Sequence, residues 1–133
     1  MDSKSLMIGD WVQNPLGWKA QVQSIRYVNT IKDEWEWLVK IGINNETFQD
    51  NLSLNEIGAI PLTAEILEKN GFTRLGTDYI LKDRHFGLSN PSTPSNYLDN
   101  YWLRVSIKVV RIEFVHELQH ALNLCGIEKD IEL

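Results

Sequence analysis

Between Trp35 and Ile43 the apolar residues Trp35, Trp37, Val39, Ile41 and Ile43 occupy every second position, with Glu36, Leu38, Lys40 and Gly42 between them. Side chains of an extended chain alternate between the two faces of a sheet, so this spacing predicts a strand with one face on a core. A helix would scatter the same residues around its circumference. Tyr101, Leu103, Val105, Ile107 and Val109 repeat the pattern against Trp102, Arg104, Ser106 and Lys108. Strands are therefore required in both halves of the chain, and Trp35 and Trp37 are expected to pack in the first core.

Shorter signals fill in around these two strands. Leu6 to Val12 reads as a strand interrupted at Gly9-Asp10, and Gln13-Asn14-Pro15-Leu16-Gly17 is dense in turn formers. Trp18 to Val28 resumes strand character on an imperfect alternation of Ala20, Val22 and Ile25, before the polar turn Asn29 to Glu34. Several short strands before residue 60 predict a small curled sheet or partial barrel, with the polar stretch Asn44 to Asn55 as loop. Pro61-Leu62-Thr63 opens a short helix, with Thr63 as N-cap and Glu65 in the first turn, and Asn70-Gly71 ends it. Phe72 to Lys82 fits a strand pair about Gly76-Thr77-Asp78, and Gly87 to Asn100, rich in Ser, Asn and Pro, reads as the longest loop.

Phe114 to Cys125 closes the chain as an amphipathic helix. Phe114, Val115, Leu118, Ala121, Leu122 and Cys125 gather on one stripe, with His116, His120 and Asn123 opposite and expected to meet solvent. The expected fold is thus a single α+β domain over residues 1–133. It comprises barrel-like strands in 6–60, a helix at 63–70, strands and a long loop in 72–110, and the closing helix at 113–125.

With 133 residues, 43% of them hydrophobic, the chain is long enough to bury one sizeable core. Its 13 Lys and Arg against 18 Asp and Glu give a net charge of −5, which supplies no overall field for phosphate backbones or anionic lipid. No run of cations compensates locally, so composition argues against nucleic acid. No apolar stretch approaches the length of a membrane span or a signal peptide, and a cytoplasmic location is expected. The single cysteine, Cys125, is expected as a buried thiol on the helix stripe.

One string has the spacing of a catalytic motif. His116-Glu117-Leu118-Gln119-His120 matches H-E-x-x-H, which places two imidazoles about 40° apart on one helical face with a glutamate available as general base. Zinc chemistry on that pattern needs a third ligand and an open position for water. No histidine follows at the spacing of the extended pattern, and only Ile127 to Leu133 comes after the helix, too little to supply a later helix. The expected metal set is therefore none, with His116 and His120 as ligands and Glu117 as base the competing reading.

Elsewhere, Arg84-His85-Phe86-Gly87 combines a cation, an imidazole and a flexible glycine ahead of the long loop. Trp102 shares its strand face by periodicity with Arg104, Ser106 and Lys108. Arg84, His85, Trp102 and Arg104 are accordingly the candidate ligand-binding residues. No Gly-rich phosphate loop, carboxylate pair or Ser/His/Asp arrangement is evident, and no cofactor is expected.

Three stretches together resemble a family of short, mostly uncharacterised proteins carried by bacteriophages and integrated mobile elements. They are Leu6-Met7-Ile8-Gly9-Asp10-Trp11-Val12, the segment Ile60 to Phe72, and Phe114-Val115-His116-Glu117-Leu118-Gln119-His120. The family patterns are L-R-I-G-N-x-V, I-P-L-T-E-E-x-L-x-K-x-G-F and Y-V-H-Q-L-Q-N. At the positions of Glu117 and His120 that family carries glutamine and asparagine, so the resemblance implies that only His116 belongs to its pattern. The opening Ile8-Gly9-Asp10-Trp11-Val12, with Gly17-Trp18-Lys19 after it, also looks like the start of an SH3-like or KOW-type small barrel.

What the resemblance implies is a nonenzymatic accessory binding protein in the cytoplasm of a bacterial host. It would act as a host-defence inhibitor that binds a host protein or sequesters a small nucleotide signal, and self-association into a homo-oligomer would help it build a pocket. The alternatives are a minimal zinc hydrolase built on the His116–His120 string and a nucleic-acid-binding small barrel.

Overall fold

The computed structural model describes residues 6–29, 31–76, 78–81, 86–89, 101–105 and 108–133, with the backbone alone described for 89, 101–105 and 108–111. The fold is α+β, as expected. The chain divides into two compact units, 1–60 and 61–133.

The first unit is a five-stranded antiparallel sheet. Its strands are β1 (Trp11–Gln13), β2 (Lys19–Asn29), β3 (Trp35–Ile43), β4 (Glu46–Ser53) and β5 (Gly58–Ala59), the last preceded by a 3-10 turn at Leu54–Glu56. They lie in the order β4-β3-β2-β1-β5, so the final strand returns beside the first and the sheet stays open, with β4 and β5 as its edges. Leu6, Val12, Ala20, Val22, Val39, Ile41, Leu52 and Ile57 form its core.

A register shift explains the imperfect alternation of β2. Val22 pairs with Ile41 but Ser24 pairs with Lys40, so Gln23 is the extra residue of a bulge. The core-facing parity therefore passes from Ala20 and Val22 to Ile25 and Tyr27. Asn14 sets the β1–β2 turn: its Oδ1 accepts from the Leu16 amide at 3.0 Å and the Trp18 amide at 2.9 Å. Gly17 completes the turn at φ 82°.

Two expectations for this unit are corrected. Asn44 to Asn55 is not loop, because β4 pairs with β3 along most of it. An edge strand with one side in solvent needs few apolar residues, and only Leu52 of β4 is buried. The Leu6–Val12 strand shrinks to its last two residues plus Gln13. The chain turns through Ile8-Gly9, where Gly9 has φ 95° and the buried Asp10 carboxylate accepts from the Met7 amide at 2.8 Å.

The second unit holds α1 (Ala64–Lys69), the strands β6 (Thr73–Leu75), β7 (Asp78–Leu81), β8 (Phe86–Ser89), β9 (Tyr101–Val105) and β10 (Lys108–Ile112), and α2 (Val115–Leu124). These strands form an antiparallel sheet in the order β10-β9-β8-β7-β6. The strand pair about Gly76 is present as β6 and β7. The strand expected over Tyr101 to Val109 is instead two, β9 and β10, paired from Lys108↔Val105 to Ile112↔Tyr101. The loop expected from Gly87 begins later, since Gly87 to Ser89 pair with β7; its remainder, 90–100, lies outside the described residues.

Both helices end in the same way. Gly71 at φ 89° and Gly126 at φ 72° follow the C-caps Asn70 and Cys125. The amides of Phe72 and Ile127 then return to the carbonyls of Leu67 and Leu122, at 3.0 and 2.9 Å, which closes a Schellman motif in each case. Thr63 caps α1 as expected, accepting from the Ile66 amide at 3.3 Å. The buried Asn70 also fixes the C-terminal segment, donating to the Glu132 carbonyl at 2.8 Å and accepting from the Glu132 amide at 2.7 Å. Ile127 and Ile131 are buried with it. Among the described residues no helix is long and apolar enough to cross a membrane.

Candidate functional site

β2 and β3 outrun their neighbours. β4 pairs with β3 no further out than Leu38↔Ser53, and β1 reaches β2 no further than Gln21, whereas β2 and β3 stay paired to Asn29↔Trp35. The outer end is a two-stranded ribbon, closed by a turn in which Asn29 Nδ2 donates to Asp33 Oδ1 at 3.0 Å. Trp35 and Trp37 share parity with the buried Val39 and Ile41, so the alternation places them on the core-side face but beyond the edge of the core. The expectation that they pack inside is therefore corrected: Trp35 is 60% and Trp37 38% exposed.

Tyr27, brought to the same face by the bulge at Gln23, joins them at 54% exposure. Its ring lies 5.3 Å from that of Trp35 and 4.9 Å from that of Trp37, tilted by 31° and 32°. Cross-strand aromatic pairs of this kind stiffen a ribbon that would be marginal alone. They also leave a contiguous aromatic surface facing water, the sort of patch that marks an interaction site more often than single exposed apolar residues do. Sequence reasoning found the parity and missed the exposure. The available signal was length, since the β2–β3 pairing outlasts any strand that could cover it.

The His116–His120 string takes a different form from the one expected. His116 is buried, at 5% exposure, and His120 half-buried, which corrects the reading of both as solvent-facing. His116 lies in the first turn of α2 with its ring stacked 5.9 Å from Phe114, and the His120 ring lies 5.7 Å away edge-on. Position on the helical wheel fails here because burial in a first turn depends on what precedes the helix. Glu117 Oε1 accepts from the amides of Glu113 and Phe114, both at 3.0 Å. The carboxylate thus satisfies backbone donors left open at the helix start. Among the described residues no group of three or more His, Cys, Asp or Glu side chains is placed to hold a metal ion. Cys125 is exposed rather than buried, because the chain turns at Gly126 and Ile127 takes the inward place.

Of the candidate ligand residues, Arg84 and His85 lie outside the described residues. Trp102 and Arg104 are placed by backbone alone, in β9 opposite Arg111 and Val109. Among the described residues of the first unit, two open clefts can be described. One, of about 440 Å³, is bordered by Gln21, Gln23, Lys40, Asn44 and Thr47 among others. Lys40 is the one cation on it, and Gln23 and Thr47 are already bonded to each other and, through Gln23, to the carbonyls of Asn44 and Glu46. The other, of about 400 Å³ beside Asn14 and Glu56, has no cation on its lining. Neither offers the paired cations that a nucleotide phosphate calls for.

Compared with family models, with curated proteins and with solved structures, the chain matches none.

Proposed function

We propose that the protein is a nonenzymatic binding module whose contact surface is the Tyr27, Trp35 and Trp37 face of the β2–β3 ribbon. In this reading it serves a phage or mobile element by engaging a host protein in the bacterial cytoplasm. The observation that carries the binding role is the exposure of three aromatic rings, Tyr27 packed against both tryptophans, on a ribbon standing clear of its own core. Large, stiff rings lose little conformational entropy on association and dominate the energetics of protein interfaces. The mobile-element setting rests on the sequence resemblance alone. A host protein fits better than a nucleotide signal, since both described clefts are poor in cations.

The test compares what the intact chain and a Tyr27→Ala/Trp35→Ala/Trp37→Ala variant retain from a bacterial lysate, with Leu16→Ala, at another exposed apolar residue, as control. A partner held by the intact chain and by the control but lost by the triple variant is the expected outcome. Equal retention by all three proteins, with circular dichroism unchanged, would sink the reading.

A further inference from the structure

We infer that the aromatic face of the β2–β3 ribbon receives an arginine-bearing segment of a partner protein, a deduction that rests on the binding role proposed above. The shape of the surface comes first. Tyr27 lies beside both Trp35 and Trp37 with interplanar angles near 30°, so the rings make a shallow shelf and not an enclosing box. A planar, weakly hydrated guanidinium stacks on such a face, whereas a compact ammonium holds its water more tightly and gains less from an open one.

Charge points the same way. Between Tyr27 and Trp37 the chain carries Lys32 against Asp33, Glu34 and Glu36, one cation less three carboxylates, or −2. Arg26, just inside the ribbon, is committed to Asp50 at 2.9 Å. The whole chain, this −2 included, carries −5. Glu36, between Trp35 and Trp37, faces away from the rings, so this charge acts as the field of the ribbon and not as contacts on its aromatic face; a field of this sign attracts a basic segment and repels phosphate backbones. It also opposes pairing of the face with that of a second copy, which would bring two −2 ribbons together.

The experiment is a fluorescence-anisotropy titration of the full chain into a short labelled peptide with arginine at alternate positions, alongside peptides in which lysine or glutamine replaces every arginine. The arginine peptide is expected to bind and to weaken as salt rises, the lysine peptide to bind less tightly, and the glutamine peptide to show no binding. Trp35→Ala and Tyr27→Ala should each weaken the arginine peptide about two- to fivefold, the loss matching one exposed cation–π contact. Glu36→Lys should weaken it as well, without touching a ring. Equal affinity for the glutamine peptide, indifference to the ring substitutions, or a chain dimer that the triple alanine variant abolishes would each overturn the inference. A lysate partner that needs the rings but ignores both Glu36→Lys and salt would defeat this inference and leave the binding role standing; a partner indifferent to the rings defeats the binding role itself.

Discussion

Glu117 sits in a string whose spacing suggests a catalytic base, yet its carboxylate is occupied by the amides of Glu113 and Phe114. A side chain that satisfies backbone donors at a helix start contributes to stability, and the two roles separate by substitution. Glu117→Ala is expected to cost about 1 kcal/mol in urea unfolding, the usual scale of a lost cap. Glu117→Gln keeps an acceptor in place and should recover most of that loss; a base would be lost equally in both variants. At this scale much was legible. Thr63 and Gly71 do what their residue types dictate at helix ends. The burial of His116 was not legible, because it depends on the covering of a first turn and not on the angle around the wheel. Asn70 escaped as well: its partner is Glu132, 62 residues on, and nothing local marks it.

At the scale of elements, alternation identified β3 without revealing how far its neighbours reach. The strand was right and the fate of Trp35 and Trp37 was wrong, since a core face becomes a surface wherever the adjoining strands stop. β4 was unreadable for a related reason, its outward residues being as polar as those of a loop. The β3–β4 hairpin depends on Gly42, which is buried opposite Thr47. A Cβ added there would overlap the Glu46 carbonyl and crowd the Gln23 amide group. The backbone carbonyl cannot yield as a flexible side chain would, so Gly42→Ala is expected to destabilise the first unit by about 1–3 kcal/mol, the scale of overpacking. Thermal unfolding followed by circular dichroism would measure it. Gly76→Ala is the wrong control, because Gly76 has a positive φ of its own; an exposed position such as Leu124→Ala is suitable and should be near neutral.

For the molecule as a whole, the SH3-like reading of the first unit invites a nucleic-acid function that the charge opposes. The first unit is an open sheet, and neither of its described clefts has more than one cation on its lining. Fold analogy alone cannot select a ligand for such a sheet. Protein that binds nucleic acid nonspecifically does so by releasing counterions from phosphates, which takes a cluster of lysines and arginines and gives an affinity that falls steeply with salt. With a net charge of −5 and an aromatic ribbon of net negative charge, this chain has the opposite field. Exposed tryptophans alone do not restore the case, because base stacking on single strands works together with a basic groove that tracks the backbone. Gel-shift titrations with single- and double-stranded DNA and with RNA should therefore show no complex at low salt, where electrostatic binding is strongest. A salt-sensitive complex that Trp35→Ala weakens would mean that the ribbon is a stacking platform for bases and that its net negative charge does not govern what it binds.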